Sequence, residues 1–224
     1  MVFVDDLDRP VVDPDDHHHL AKALRLANGA EVTACDGAGR WCTIAFAADA
    51  VGTVAEVLDA ICFEPPPPWE LVVAFAPVKG DRPEWTVQKL TELGVDRIVP
   101  IQSERSVVRW DAKRGDKQLH KWRRIAREAA MQSRRVRLPV IDDVTSFASL
   151  VGAPDLALAD PDGDPLGAEH RFVVIGPEGG WAPSEREGRA LVALPGGVLR
   201  AETAALTAAS IMALHRSVAE AKHK

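Results

Sequence analysis

Chemistry is easiest to read in the segment Val173-Val174-Ile175-Gly176-Pro177-Glu178-Gly179-Gly180. A buried apolar strand that ends in glycines sets a loop at the carboxyl end of a sheet, where open α/β sheets take their ligands. Gly179 and Gly180 can adopt positive φ and bring backbone close to a bound molecule, while Pro177 fixes the turn. The pattern is neither GxGxxG nor GxxxxGK[ST], so neither a dinucleotide nor a nucleoside triphosphate is indicated. An ordinary glycine turn would use the same residues. A second loop, Leu194-Pro195-Gly196-Gly197-Val198-Leu199-Arg200, runs into Ala201-Glu202-Thr203-Ala204 at a helix start. Amides exposed there either cap the helix through Glu202 or Thr203 or bind a ligand. Two such loops at strand ends make a better pocket than either alone.

Other chemistries find little support. Three consecutive histidines, His17-His18-His19, would spread about 100° apart on a helix and cannot converge on one ion, so they are expected at the surface and no metal site is expected. There is no GxSxG elbow, and no Ser or Cys has a nucleophile's sequence context. Cys35, Cys42 and Cys62 form no CxxC pair and are expected to be small buried apolar residues.

The charge is unevenly placed. The 224 residues carry a net charge of −6, yet Arg105 to Arg137 holds twelve Lys and Arg against Asp111, Asp116 and Glu128. A field of that kind concentrates phosphate at one face, which makes RNA or DNA a candidate partner; a solvated helix face is the alternative. The chain up to Glu64 is acidic, with twelve acids against four bases, so any RNA contact there is expected around Lys22, Arg25 and Arg40. The start, MVFVDDLDRP, has acids where a signal peptide has bases, and Leu71 to Val78 falls far short of the roughly 20 residues of a membrane span. A cytoplasmic protein with no membrane partner is the expectation.

These residues must be positioned by a fold, and the pattern divides at Pro65 to Pro68, a run that can join neither helix nor ladder. Before it, VFVD, EVTAC, WCTIAFA and VGTVAEV read as short strands, with a helix from His17 to Leu26, and a small β-barrel fits best. After it, strands and helices alternate. Strands are expected at Leu71, Arg97, Val136, Asp155 and Arg171. Helices are expected over Glu84 to Leu93 with Asp81 as cap, over Asp116 to Ser133, from a Ser184 capping box through Leu191, and from Ala201 to Lys222. Such alternation means a mostly parallel sheet with helices on both faces.

Further motifs carry a resemblance. Lys79-Gly80-Asp81, Gln88-Lys89, Thr91-Glu92-Leu93-Gly94-Val95, Pro100 and Ser103-Glu104-Arg105-Ser106-Val107 come first. Glu128-Ala129-Ala130, Gln132-Ser133, Arg135, Pro139, Ile175 to Gly180 and Leu199 to Ala204 follow in order. The chain resembles the bacterial 16S ribosomal RNA (uracil-N3) methyltransferases of the SPOUT superfamily, over most of its second domain and more weakly through His18 to Arg25, Gly29 and Asp36-Gly37. One departure lies in the second loop, where the family has Gly-Pro-Arg and this chain has Pro195-Gly196-Gly197.

The resemblance implies a PUA-like β-barrel over 1–66 that helps hold RNA, then a SPOUT-type α/β domain over 67–224 tied in a trefoil knot. It implies a homodimer that binds S-adenosyl-L-methionine at Ile175, Gly176, Pro177, Glu178, Gly179 and Gly180, and at Leu194, Gly196, Leu199, Thr203 and Ala204. It implies methylation of N3 of a uridine in 16S rRNA, free or within the small ribosomal subunit. The alternatives are the same chemistry on another RNA, or a non-catalytic RNA-binding or assembly protein. At uracil N3 a proton must leave and negative charge must be stabilised. Arg200 is the candidate cation, with a helix-end or dimer salt bridge as its other reading. Glu202 is the candidate proton acceptor or ribose anchor, with helix capping as its other reading. Arg105, Arg109, Arg123, Arg124, Arg127, Arg134 and Arg135 are the candidate phosphate contacts.

Overall fold

A computed structural model describes residues 1–110 and 112–222, with Ala112 and Lys113 described by their backbone alone. Asp111, His223 and Lys224 lie outside the described residues. The chain divides into two units, Met1–Pro66 with Ala130–Leu138, and Pro67–Ala129 with Pro139–Lys224.

The first unit is built on β1 (Val2–Phe3), β2 (Ala30–Cys35), β3 (Arg40–Phe46), β4 (Glu56–Val57) and β5 (Cys62–Phe63). β1 runs parallel to β2, and the other pairings are antiparallel, in the order β1-β2-β3-β4 with β5 also on β3. Period-two burial explains β3: Cys42, Ile44 and Phe46 enter the core while the intervening residues stay partly exposed. The strand expected from Val51 shrinks to Glu56–Val57. Of the cysteines, Cys62 is exposed, contrary to expectation.

The first helix, α1 (Pro14–His18), starts before the expected His17 because Asp13 caps it, accepting from the Asp15 amide at 2.9 Å, with Pro14 in the first turn. It continues as a wide turn over His19–Ala23. His17 is not at the surface: it is 4% exposed, its Nε2 donates to the Ala47 carbonyl at 2.8 Å, and its ring lies 4.8 Å from that of Phe46. His18 and His19 are exposed.

Residues 130–138 reach this unit from far along the sequence. Gly39 N donates to the Val136 carbonyl at 3.2 Å and Leu138 N to the Gly37 carbonyl at 2.9 Å. Arg137 donates to the Glu64 carbonyl and lies over the Phe63 ring at 5.5 Å. Any side chain at Gly39 would overlap the Arg137 guanidinium. Val136, Ala130, Phe3 and Cys35 form a buried cluster. These bonds are why the strand expected from Val136 begins only at Val140.

The second unit holds β6 (Val72–Phe75), α2 (Arg82–Glu92), β7 (Arg97–Gln102), α3 (Ala112–Ser133, its last turn belonging to the first unit), β8 (Val140–Ile141) and β9 (Thr145–Ser146). It continues with α4 (Phe147–Leu150), β10 (Leu156–Pro165), β11 (Phe172–Ile175), α5 (Pro183–Arg186), β12 (Ala190–Ala193) and α6 (Ala201–Ala221). The sheet order is β12-β10-β11-β6-β7-β8 with β9 also on β7, and every pairing is parallel. Alternate residues of the central strands feed two cores. Val73, Phe75, Val173 and Ile175 pack with Val87 of α2, Trp122 of α3 and Ala205 and Met212 of α6. Ala74, Ala76 and Val174 pack with Phe147 and Trp181 on the other side. A strand buried on both faces is therefore apolar without alternation, as Leu71 to Ala76 is.

Two expected boundaries are corrected. Asp81 occupies the N-cap of α2 but its side chain makes no capping bond. The helix expected from Ser184 through Leu191 is the single turn α5, capped at Ala182: Glu185 accepts from the Ala182 amide at 3.0 Å and from the Glu104 amide at 2.9 Å. Chain that would have continued the helix pairs with β10 instead.

Candidate functional site

The ends of β10, β11 and β12 and the start of α6 surround a cavity of about 360 Å³. Its floor is Ile175, Gly176 and Pro177, which continue β11. Glycine is required at position 176 because a Cβ there would stand 2.8 Å from Cε2 of Trp181. Gly180 closes the turn at φ +68°, its amide donating to the Pro177 carbonyl at 2.8 Å. Trp181, 6% exposed, locks the loop to β10 by donating from Nε1 to the Ala159 carbonyl at 3.1 Å, and packs on Phe147 at 5.0 Å. Opposite lies the second loop, where Gly197, at φ +77°, Val198, Leu199 and Arg200 reach the cavity before α6 begins.

The structure thus brings together Ile175, Gly176, Pro177, Glu178, Gly180, Leu194, Leu199, Arg200 and Ala204 of the expected site. Gly179 and Gly196 stand in the same loops and Thr203 in the first turn of α6, all three outside the cavity lining. Gly179 instead abuts Arg105, whose guanidinium donates to the Gly179 carbonyl at 3.2 Å.

Glu202 stands behind the lining, its side chain 12% exposed. The capping reading does not describe it: the N-cap of α6 is Arg200, and no side chain caps that helix. One carboxylate oxygen of Glu202 lies 3.5 Å from Arg82, and the other is buried without a hydrogen-bond partner among the described residues. Arg82 also pairs with Glu178 at 3.0 Å, and that bond, with smaller contributions from both glutamates, raises the guanidinium's proton affinity above its ordinary value. One cation at the start of α2 therefore ties the first loop to the start of α6. Sequence reasoning missed Arg82, although it directly follows Lys79-Gly80-Asp81. It also missed Asp160, Pro161 and Trp181. Their signal was present, since Asp160 ends an expected strand and Trp181 follows the glycines. Asp160 is held by Arg186 at 3.1 Å.

The arginines expected to meet phosphate are dispersed. Arg105 and Arg109 stand on the segment after β7, with Arg109 donating to the Glu104 carbonyl at 3.2 Å. Arg123 donates to the Ile141 carbonyl at 3.1 Å and pairs with Asp143 at 3.2 Å, and Arg124 pairs with Glu128 at 3.4 Å. Arg127 shares the α3 helix, whereas Arg134, at φ +59°, and Arg135 belong to the first unit.

Among the described residues no group of three His, Cys, Asp or Glu is placed to hold a metal ion. The cavity suits an organic ligand that offers apolar surface to Ile175, Leu194 and Leu199 and hydrogen-bonding edges to loop backbone.

Comparison with known proteins follows the same division. The RNA methyltransferase domain family matches residues 65–213, and the RNA methyltransferase PUA domain family matches residues 12–45. Ribosomal RNA small subunit methyltransferase E of Mycobacterium bovis is 36% identical over 220 residues, covering 88% of this chain and 83% of that protein. The structure of ribosomal RNA small subunit methyltransferase E from Neisseria gonorrhoeae, bound to S-adenosyl methionine, is 30% identical with a TM-score of 0.78, covering 90% of this chain and 89% of that one. A methyltransferase from Legionella pneumophila, in complex with bound cofactor SAM, is 26% identical with a TM-score of 0.81, covering 94% and 95%.

Proposed function

The chain belongs to the RNA methyltransferase family, and on that premise we propose that it methylates N3 of a uridine in 16S ribosomal RNA. It is an S-adenosylmethionine-dependent methyltransferase of small-subunit ribosomal RNA. The observation that carries the reading is the cavity between two glycine loops at the carboxyl ends of parallel strands.

The residues present fit the cofactor. S-adenosylmethionine has no phosphate, and the cavity is lined by loop backbone, apolar side chains and the charged Asp160, Glu178 and Arg200 without a P-loop; glycine at 176 lets the loop lie against Trp181, where a Cβ would stand 2.8 Å from the ring. Ile175, Leu194, Leu199 and Ala204 would hold the apolar parts, and the backbone at Pro177 to Gly180 and Gly197 would meet the polar edges. When bound, the cofactor supplies an electrophilic methyl group carried on a sulfonium.

Arg200, on the cavity wall, places positive charge where the uracil imide loses its proton, and so favours the anion that attacks. Glu202, the proposed proton acceptor or ribose anchor, stands behind the lining, with Arg82 3.5 Å from one carboxylate oxygen and the other buried without a hydrogen-bond partner among the described residues, so to act as acceptor the carboxylate must turn towards the cavity. Positioning of the base against the methyl group supplies much of the rate. The target base is swung out of any helix to arrive there. Arg105, Arg109, Arg123, Arg124 and Arg127 of the second unit, and separately Arg134 and Arg135 of the first, are the proposed phosphate contacts.

The knot belongs to the same proposal. From β12 at one edge of the sheet the chain returns as α6 to pack on β11 and β6, a path that supports threading of the C-terminal segment. Exposed Val198, Leu214 and Val218 support a homodimer. Among the described residues no helix is long and apolar enough to cross a membrane, and a ribosomal RNA substrate supports a cytoplasmic location.

The test is methyl transfer from labelled S-adenosylmethionine to small subunits that lack the modification, followed by mapping of the methylated nucleotide. We expect a single N3-methyluridine in 16S rRNA. Product in transfer RNA, or at another atom, would overturn the substrate assignment.

A further inference from the structure

A second cavity of about 320 Å³ lies in the same unit, between the segment that precedes α2, the segment that follows β7, and the first turns of α3. We propose that it is a subsite for one nucleotide of the RNA substrate, which takes the phosphate on Lys79 and Arg109 and the base against Val78, Val107 and Trp110. This rests on the function proposed above and adds where the substrate is gripped.

Position argues first. Both long walls of the cavity are anchored to the cofactor loop. Lys79-Gly80 leads within two residues to Arg82, paired with Glu178 at 3.0 Å. Val107 to Trp110 follows Arg105, which donates to the Gly179 carbonyl at 3.2 Å. A nucleotide seated here is therefore held by the same two segments that support the methyl donor's loop.

Charge argues second. Among the described residues the cavity is lined by Lys79, Arg109 and Arg114 and by the carboxylate of Glu84, which already accepts from Gln118 at 2.9 Å and from Lys121 at 2.6 Å. Among the described residues neither Lys79 nor Arg109 has a carboxylate within 4 Å, so the cavity as built favours an anion. The apolar wall argues third. Val107 is 62% exposed, more than a residue of its kind needs to be, and Trp110 is held edge-on to Trp122 at 5.4 Å. A phosphate alone would have no use for that wall, whereas a base stacks or packs on such surfaces. The volume is near the lower limit of about 300 Å³ for small-ligand sites and admits a single nucleotide rather than a duplex.

The test is fluorine NMR of the full-length protein titrated with 5-fluorouridine 5′-monophosphate, with 5-fluorouridine and inorganic phosphate as separate arms. The monophosphate should bind at least about tenfold more tightly than either part. The Lys79→Ala/Arg109→Ala variant should lose that binding and retain S-adenosylmethionine affinity. With small subunits its KM should rise about tenfold while kcat stays within about threefold, the signature of weakened uniform binding. Equal binding of the monophosphate by wild type and variant, displacement by inorganic phosphate alone, or an unchanged KM would overturn the subsite. Because the titration needs no catalysis, failure of the parent reading shows separately, as absence of methyl transfer by the wild type.

Discussion

Gly176 and Trp181 offer a sharp check on how the cofactor loop is built. Gly176→Ala adds one methyl group, whose carbon would stand 2.8, 3.1 and 3.2 Å from Cε2, Cζ2 and Cδ2 of Trp181. The φ at Gly176 is not in the left-handed region, so backbone strain does not enter and steric overlap alone decides. The indole cannot retreat freely, since it is buried against Phe147 and bonded to the Ala159 carbonyl. Overpacking of such a site costs about 1–3 kcal/mol. Trp181→Phe by itself should cost about 1–3 kcal/mol, because it removes a hydrogen bond and shrinks the ring.

The double variant distinguishes the mechanism. A phenyl ring leaves space for the new methyl, so the double variant should be more stable than the sum of the singles by about 1 kcal/mol or more, within the range of coupled neighbours. Urea unfolding supplies the stabilities, and calorimetry with S-adenosylmethionine supplies the affinities. Gly176→Ala should weaken cofactor binding about tenfold or more, because both residues line the cavity. Additive stabilities, or wild-type affinity in the Gly176→Ala protein, would refute the reasoning that the indole and the glycine are matched.

Gly180→Val places a β-branched residue at φ +68° with no atom of a described residue other than its chain neighbours within 4 Å of the new Cβ, so its cost is conformational, about 1–3 kcal/mol, and calorimetry should show cofactor binding abolished. Arg82→Met removes the cation shared by Glu178 and Glu202, and should weaken S-adenosylmethionine about tenfold, more than Glu178→Gln does. Reversal of Arg123, Arg124 and Arg127 to Glu should lower the slope of log affinity against log salt for ribosomal RNA by about one unit for each phosphate no longer neutralised; an unchanged slope would move the RNA face elsewhere. Burial pushes the Cys35 thiol up to about 12, so at pH 7 to 9 alkylation should label exposed Cys62 and spare Cys35 until the unit unfolds. Neutral Cys35 favours the fold below the ordinary thiol value, and that contribution fades between about 9 and 12 as the unfolded chain ionises.

Much of the site was legible as local pattern. Val173 to Gly180 is an apolar run followed by glycines, and both the strand and the turn depend on neighbours in sequence, so the structure places them where the residues pointed. The basic helix and the alternation of strand and helix were readable for the same reason. His17 was misjudged because its burial depends on Phe46 and Ala47, about thirty residues away. The capping box slipped by two residues because Glu185 also serves the Glu104 amide, a partner that spacing does not reveal.

What the amino-acid order determined on its own was therefore short-range: two glycine loops, a parallel α/β pattern, and a chemistry without metal or nucleophile motifs. What tertiary structure alone decided was long-range. It joined residues 130–138 to the first unit through Gly37, Gly39 and Glu64. It also set Arg82 between Glu178 and Glu202, which lie about a hundred residues further along. The physical reason is that turn and strand preferences act over a few residues, whereas an ion pair or a packed glycine is defined only once distant segments meet.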